Sequence, residues 1–321
     1  MTEMSYQAFV MVCGPSIGNR TVLFLKRIFE AASGVASMSQ LGAAMGIFSG
    51  IAASLISVFF FVDIMDKASK DMITLEKLIV SFIKLILTFT IVLTIKDFAI
   101  GTFNLGANIF YYAETEWFGT SNTGSGTQVI TYFGEETPPK WETVEEKLVG
   151  KNKPYGKGFI KNSLNALGIL VGLLIPWIVT LGAIAASYFV SITTMLTFFV
   201  MALFSPIAVS QCFDEGQRST GIRYLKKMMA AALTFAVIMG FIYAGSLLEN
   251  NLMVALVKDA NLSGLTTAGS GTTLDINETN YNAICKGNAG FLVSIVILKA
   301  AVIGGVMKAG SVANAIFGVP W

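Results

Sequence analysis

The chain contains no histidine among its 321 residues, and only 13% of its residues are charged. The absence of histidine excludes histidine acid–base catalysis, histidine metal sites and histidine-containing triads. Soluble domains carry about 25% charged residues, so this low content, together with 54% hydrophobic residues, indicates an integral membrane protein. The three cysteines, Cys13, Cys212 and Cys285, lie far apart without a CxxC pair, which argues against a metal or redox site. We therefore expect no cofactor.

Sequence motifs of the common enzyme classes are also missing from the chain. It has no P-loop, no GxGxxG following a strand and no GxSxG, so no motif offers an activated nucleophile or base. Asp63, Asp66 and Asp71 form a loose acidic cluster, but Lys67 and Lys70 lie among them, as is typical of a solvated turn of mixed charge. We therefore expect that the protein is not an enzyme.

The strongest positive feature of the chain is a long segment without charge. From 162 to 213 it runs 52 residues without one charged side chain. A bilayer core about 30 Å thick needs about 20 apolar residues, so the run holds either one very long helix or two joined helices. The only plausible internal turn is 182–186, which has no polar turn residue. Pro176 and Pro206 are expected to kink the helix, because proline removes a backbone donor.

The pattern along the chain predicts an all-α integral membrane protein with five transmembrane helices, or six if the charge-free run crosses twice. Residues 20–37 have one apolar face, which indicates a helix that lies on the membrane surface or packs on the rest of the protein. The predicted segments are an N-terminal amphipathic segment (1–40), a transmembrane pair (41–103), a large polar extramembrane loop (104–162), a long charge-free membrane helix region (163–213), and two transmembrane helices with an intervening polar loop (214–321).

The first predicted span, about 41–62, carries small residues at four-residue intervals. Gly42, Gly46, Gly50 and Ser54 share one face of a helix, and such a face lets another helix backbone approach closely. We expect this face to pack against a helix of the same chain or of a second copy in a homo-oligomer.

The second predicted span, about 78–103, contains the charged residues Lys84, Lys96 and Asp97. A lysine at the centre of a membrane helix costs about 3 kcal/mol on insertion scales. One interpretation is that these residues line a polar pathway. The other is that the lysines reach towards the membrane surface or pair with a neighbouring helix, since both positions lie away from the centre of this span.

Charge in the loops predicts which ends face the cytosol. The basic linker 210–229, beside the acidic loop 249–287, places the linker and the C-terminus in the cytosol. If the charge-free run crosses once, 8 positive residues lie inside and 11 outside, and if it crosses twice the numbers are 14 and 5. The charge rule therefore favours six spans, whereas the missing turn favours five. The cations of the linker are Arg218, Arg223, Lys226 and Lys227.

Several short sequences resemble a known family of membrane proteins. The resemblance covers about residues 40–110 and 164–248. The sequences are DIMDKAS at 63–69, LEKL at 75–78, FIKLI at 82–86, NLGAN at 104–108, FSPIA at 204–208 and YLKK at 224–227. They are similar to the TrbL-type polytopic membrane subunit of type IV secretion and conjugation machines, particularly the versions found in Gram-positive mobile elements.

This resemblance implies a subunit of the platform in the bacterial cytoplasmic (inner) membrane, which assembles into a ring and helps to pass DNA or protein across. It implies other secretion-system membrane subunits, the transported DNA or protein and membrane lipids as partners. It also implies that the loop 104–162 is extracytoplasmic and that the chain crosses the membrane five times. The alternative function is a self-contained transporter of small solutes or ions. That class usually has inverted repeats and polar residues at mid-membrane, and this chain has no clear repeat and no charge near Pro176.

Overall fold

The fold is described from a computed structural model of the chain. The residues that it describes are 2–13, 16–37, 39–70, 74–119, 129–135, 138–149, 158–215, 220–259, 261, 264–268, 271–277, 280–281, 284 and 289–318.

Most of the described residues lie in α-helices. The helices are α1 (Thr2–Cys13), α2 (Ser16–Ser37), α3 (Ser39–Ser69), α4 (Leu75–Ala113), α5 (Trp141–Val149), α6 (Gly158–Ser210), α7 (Cys212–Glu215), α8 (Thr220–Asp259), α9 (Ala289–Met307) and α10 (Ala309–Ile316). A π-helical segment (Glu114–Gly119) follows α4. The strands are β1 (Val129–Tyr132), β2 (Leu265–Ala268) and β3 (Gly271–Ile276).

The chain forms two compact units, and helices α6 and α8 contribute residues to both. The first unit comprises Met1–Phe24, Ala113–Tyr188 and Ile238–Met307, and the second comprises Leu25–Tyr112, Phe189–Val237 and Lys308–Trp321. Each unit combines segments that are distant in sequence. These units describe compactness and not position in a membrane, so the five segments expected from the sequence stay a prediction.

The first unit contains a three-stranded sheet in the order β1-β3-β2. Strand β1 runs parallel to β3, with Val129 opposite Thr273, and β2 runs antiparallel to β3. The strands are rich in threonine and other β-branched residues, which favour a pleated conformation. The prediction of a helical protein holds for the bulk of the chain but missed this sheet. Four residues are too few for a visible pattern in β1, and its partner lies 144 residues away.

Side chains from α1, the sheet and three longer helices form the apolar core of the first unit. Tyr6 and Phe9 of α1 both contact the ring of Tyr281, and the Phe9 and Tyr281 centroids are 5.0 Å apart. Burying a large apolar side chain contributes about 1.5–3 kcal/mol, so this core holds α1 firmly on the sheet. The other main members of the core are Leu173, Met253, Val257, Leu274, Ile276 and Ile295.

The second unit is built around a cluster of aromatic rings. Phe29 of α2 lies 4.9 Å from Phe110 of α4 and 4.7 Å from Phe235 of α8, measured between ring centroids. Leu25 and Ala32, on the same face of α2 as Phe29, are also buried. The apolar face of the N-terminal amphipathic helix therefore packs on the protein, as one of the two interpretations of that helix expects.

The outward faces of α3 and α4 carry large apolar side chains. Ile47, Phe61, Ile86 and Leu93 are all more than 60% exposed. Such a surface is unfavourable in water and suits contact with acyl chains. Four helices are long and apolar enough to cross a membrane, or five if the bent pair at the C-terminal end counts as one span, within the described residues. The architecture is thus compatible with a multi-pass membrane protein.

The helix boundaries differ from the predicted spans. Helix α3 continues to Ser69, which shortens the expected charged turn, and α4 continues ten residues beyond 103 to Ala113. The predicted polar loop 104–162 therefore begins with helix. The reason is tertiary packing, because Gly106 lies so close to α8 that an added Cβ would be 2.8 Å from the carbonyl oxygen of Ala232.

Helix α6 is continuous from Gly158 to Ser210 and has no turn at 182–186. Pro176 and Pro206, where kinks are predicted, both lie within this helix. Pro206 has no N–H for the carbonyl oxygen four residues earlier. The Ser205 hydroxyl donates a hydrogen bond to that oxygen, of Ala202, at 2.6 Å. This side-chain bond offsets the backbone hydrogen bond that the Ala202 carbonyl lacks, and the helix continues to Ser210.

Alkaline pH is expected to destabilise the first unit through Tyr6. This side chain is buried, and its hydroxyl donates a hydrogen bond to the Pro139 carbonyl oxygen at 2.8 Å. Burial first, and then the negative charge of Glu135, raise the pKa of Tyr6 from 10.0 to about 12. Since the folded state favours the neutral phenol, the stabilisation is complete below pH 10.0 and is lost as pH rises to about 12.

Thermal unfolding of the wild type and of Tyr6→Phe across this pH window measures the effect. The wild type should lose stability more steeply with pH than the variant, which has no phenol to ionise. Parallel curves for the two proteins would contradict this prediction.

Candidate functional site

Lys96 and Asp97 lie near the middle of α4. Lys96 is 21 residues after Leu75 and 17 residues before Ala113, and both charged side chains are exposed. The sequence had placed them towards the end of a span that stops at 103, and the longer helix moves them to its centre. A charge at the centre of a membrane helix costs about 2.5–3.5 kcal/mol on insertion scales unless protein or water surrounds it.

The Lys96 side chain lies across Gly42 of α3. A Cβ added at Gly42 would be 2.7 Å from Lys96 Nζ and 2.9 Å from its Cε, so the lysine occupies space that any larger residue would fill. Met45, Ala99 and Phe103 border the small gap of about 10 Å³ that remains there. Gly42 therefore belongs to a contact between α3 and α4 of the same chain.

The other three members of the small-residue face are exposed. A Cβ added at Gly46 or Gly50 would meet no atom within 4 Å in the described part of the chain. The Ser54 hydroxyl donates a hydrogen bond to the Gly50 carbonyl oxygen at 3.1 Å, so its polar group is satisfied within α3. The predicted packing face thus divides into one residue covered by this chain and three that face outward.

A hydrogen-bonded cluster joins the end of α3 to the start of α4. Lys67 Nζ and Ser81 Oγ each donate a hydrogen bond to Asp63 Oδ2, both at 2.6 Å. Ser81 is fully buried, so its hydroxyl fixes the hairpin and is closed to a substrate. Lys84 is exposed, and its ammonium interacts electrostatically with Asp63. Lys84 therefore belongs with this cluster, about 18 Å along the helix from Lys96 at a rise of about 1.5 Å per residue.

Most of the basic linker lies on the first turns of α8. Arg223, Lys226 and Lys227 are exposed there, while Arg218 lies outside the described residues. The Tyr224 hydroxyl donates a hydrogen bond to the Met201 carbonyl oxygen of α6 at 2.8 Å. This bond fixes the start of α8 against α6 and leaves the three cations facing outward.

A buried ion pair joins α8 to α9 and was not predicted from the sequence. Lys299 Nζ lies 3.0 Å from Glu249 Oε1, and the two side chains are 1% and 13% exposed. Glu249 was expected in a loop, but α8 extends to Asp259 and carries it into the helix pair. The available signal was Lys299 itself, because a lysine inside an apolar helix needs a counter-charge.

The ion pair is one of several residue pairs that bring α8 and α9 into close contact. Two glycines lie to one side of it, since a Cβ added at Gly245 would strike Val302 and one added at Gly305 would strike Phe241. The α8 members recur every four residues and so share one face of that helix. Three pairs of described residues belong to this contact: Phe241 with Gly305, Gly245 with Val302, and Glu249 with Lys299.

These features define a predominantly helical protein whose unusual groups are charges on long apolar helices. No cluster of three histidine, cysteine, aspartate or glutamate side chains is placed to hold a metal ion within the described ranges. Comparison of the chain with protein-family models, with curated proteins and with solved structures gives no match.

Proposed function

We propose that the protein is a multi-pass subunit of the bacterial cytoplasmic membrane that forms part of the channel platform of a type IV secretion or conjugation machine. In this role it helps to translocate DNA or protein across the membrane. The resemblance of residues 40–110 and 164–248 to the TrbL-type subunit supports the proposal. The structure adds support through the placement of its strands and of its exposed charges.

The pairing of strands supports a topology with five spans. Strand β1 belongs to the loop 104–162, while β2 and β3 belong to the loop 249–287, so their pairing requires both loops on the same side of the membrane. Helix α1 joins the same core through Tyr6 and Phe9. One crossing by α6 meets this requirement, whereas two crossings would separate the loops. We therefore favour both loops and the N-terminus outside and the C-terminus in the cytosol.

The main structural support for the proposal comes from the exposed charged residues at the centre of α4. Lys96 and Asp97 lie among outward-facing apolar side chains such as Leu93, where contact with lipid would be costly. Other subunits, or water in a passage between subunits, would remove that cost. Such charges are therefore expected in a protein that works inside an assembly, and they are unfavourable in one that lipid surrounds.

The exposed small residues of α3 support a homo-oligomeric ring. We expect Gly46→Leu to break the ring, because the added side chain projects into the face that another copy would approach. The change meets no atom within 4 Å in the described part of its own chain, so the monomer should fold normally. Native electrophoresis in mild detergent measures the assembly.

Gly101→Leu is the matched control for this test. Gly101 is also exposed and also has no atom within 4 Å of an added Cβ, but it lies on α4 outside the small-residue face. The control should assemble like the wild type. A ring that survives Gly46→Leu would rule out this interface.

Photo-crosslinking during active secretion tests the function itself. A photoreactive amino acid at position 96 is expected to capture transported DNA or protein, whereas one at Leu87, which is exposed on the opposite face of α4, should capture lipid. Ion-driven solute uptake by the purified protein alone in liposomes, without substrate capture in cells, would instead establish the small-solute or ion transporter.

A further inference from the structure

The first unit contains a cavity of about 630 Å³ between α1, the start of α2 and α6. Its apolar wall includes Met4, Met11, Leu170, Leu174 and Trp177. The Trp177 indole N–H lies 2.9 Å from the Met11 sulfur and donates a hydrogen bond to it, which ties α6 to α1 across the wall. Ligand sites in proteins have about 300–1,000 Å³, mostly apolar walls and a few well-placed polar groups, and this cavity fits that description.

The polar groups of the cavity include one acidic and one basic side chain. Glu3 and Gln7 of α1 and Arg20 of α2 line it, and all three are exposed. An arginine guanidinium binds a phosphate through paired hydrogen bonds, and a carboxylate binds an ammonium group. The cavity therefore complements a ligand with an apolar body and a head that carries both a phosphate and an amine.

The surface beside the cavity indicates where such a ligand would come from. Val171, Ile175 and Ile178 each follow a cavity-lining residue of α6 by one position and are 65%, 64% and 55% exposed. They lie in the candidate membrane span Leu170–Ser210. The cavity thus opens next to apolar surface that suits the acyl chains of the bilayer.

We propose that this cavity binds phosphatidylethanolamine. One acyl chain packs against Leu174 and Trp177, the phosphate pairs with Arg20, and the ethanolamine ammonium pairs with Glu3. This lipid site goes beyond the proposed secretion role and requires only that α6 enters a membrane. It gives the N-terminal helix a direct contact with a membrane lipid.

Native mass spectrometry of the full chain, purified in mild detergent and incubated with equal amounts of phosphatidylethanolamine and phosphatidylglycerol, tests the proposal. The wild type should retain one phosphatidylethanolamine in preference to phosphatidylglycerol, which has a phosphate but no amine. Leu174→Trp places a larger ring where the acyl chain would pack and should lower the retained fraction about tenfold, equivalent to about 1.4 kcal/mol of binding free energy. Glu3→Gln should keep lipid binding but remove the preference between the two lipids.

Ile178→Trp is the matched control, because Ile178 lies one helical turn beyond Leu174 and does not line the cavity. It should retain the lipid as the wild type does. Equal retention by the two tryptophan variants would overturn the proposal, as would equal retention of both lipids by the wild type. Recovery of a bound peptide in place of lipid, lost in Leu174→Trp only, would assign the cavity to a protein partner and also overturn it.

Discussion

Replacing Lys299 with alanine is expected to lower the free energy of unfolding by about 3–5 kcal/mol. The Lys299 side chain is 1% exposed and faces the Glu249 carboxylate at 3.0 Å. Its removal leaves a buried carboxylate without a counter-charge. That desolvation penalty, more than the lost attraction, makes the effect large. Chemical denaturation of the purified full chain in micelles, followed by tryptophan fluorescence, measures the change.

Two further variants separate the charge from the packing. Lys308→Ala removes an exposed lysine from the end of the same helix pair and should change stability by less than about 0.5 kcal/mol. The double variant Glu249→Leu with Lys299→Met removes both charges together and should recover most of the loss, since apolar replacement of a buried pair is often neutral. A double variant as unstable as Lys299→Ala would show that the ion pair is not the cause.

Replacing Gly106 with alanine is expected to destabilise the second unit by about 1–3 kcal/mol, the usual effect of overpacking. The added Cβ would lie 2.8 Å from the Ala232 carbonyl oxygen and 3.2 Å from the Ala232 Cβ. Because the first neighbour is backbone, α4 and α8 would have to move apart. The shift of the thermal unfolding midpoint in micelles measures the effect.

Gly101→Ala provides the control, because it makes the same substitution on the same helix. An added Cβ at Gly101 meets nothing within 4 Å in the described residues. Alanine is favoured over glycine in a helix by about 1 kcal/mol, so this variant should be as stable as the wild type or more so. If both variants behaved alike, the close contact between α4 and α8 would not be part of the folded state.

The helices were largely predictable from the sequence, while their ends were not. Apolar runs mark α3, α4 and α6, and the structure has a helix at each. The end of α4 at Ala113 escaped prediction because Asn104 and Gly106 resemble a helix stop, and only packing against α8 shows that the glycine is a close contact. Local composition reports propensity, and tertiary contacts of this kind override it.

Some of the charged residues of interest could be found from the sequence, and others only from the structure. Lys96 and Asp97 were singled out from the sequence as candidate pathway residues, and their exposure at mid-helix keeps that hypothesis open to the crosslinking test. The partner of Lys299 could not be found from sequence, because Glu249 lies 50 positions away and was assigned to a loop. The pairing depends on α8 and α9 lying side by side, which no local pattern encodes.

Composition alone predicts a helical membrane protein, because a run of 52 uncharged residues is stable only where water is excluded. The same run left undecided whether the chain crosses there once or twice, since lipid accepts apolar residues in either arrangement. The pairing of β1 with β3 favours one crossing, because hydrogen bonds between two strands require both loops on one side of the membrane. Such bonds join backbone groups that every residue carries, so the amino-acid pattern holds little trace of which strands will meet.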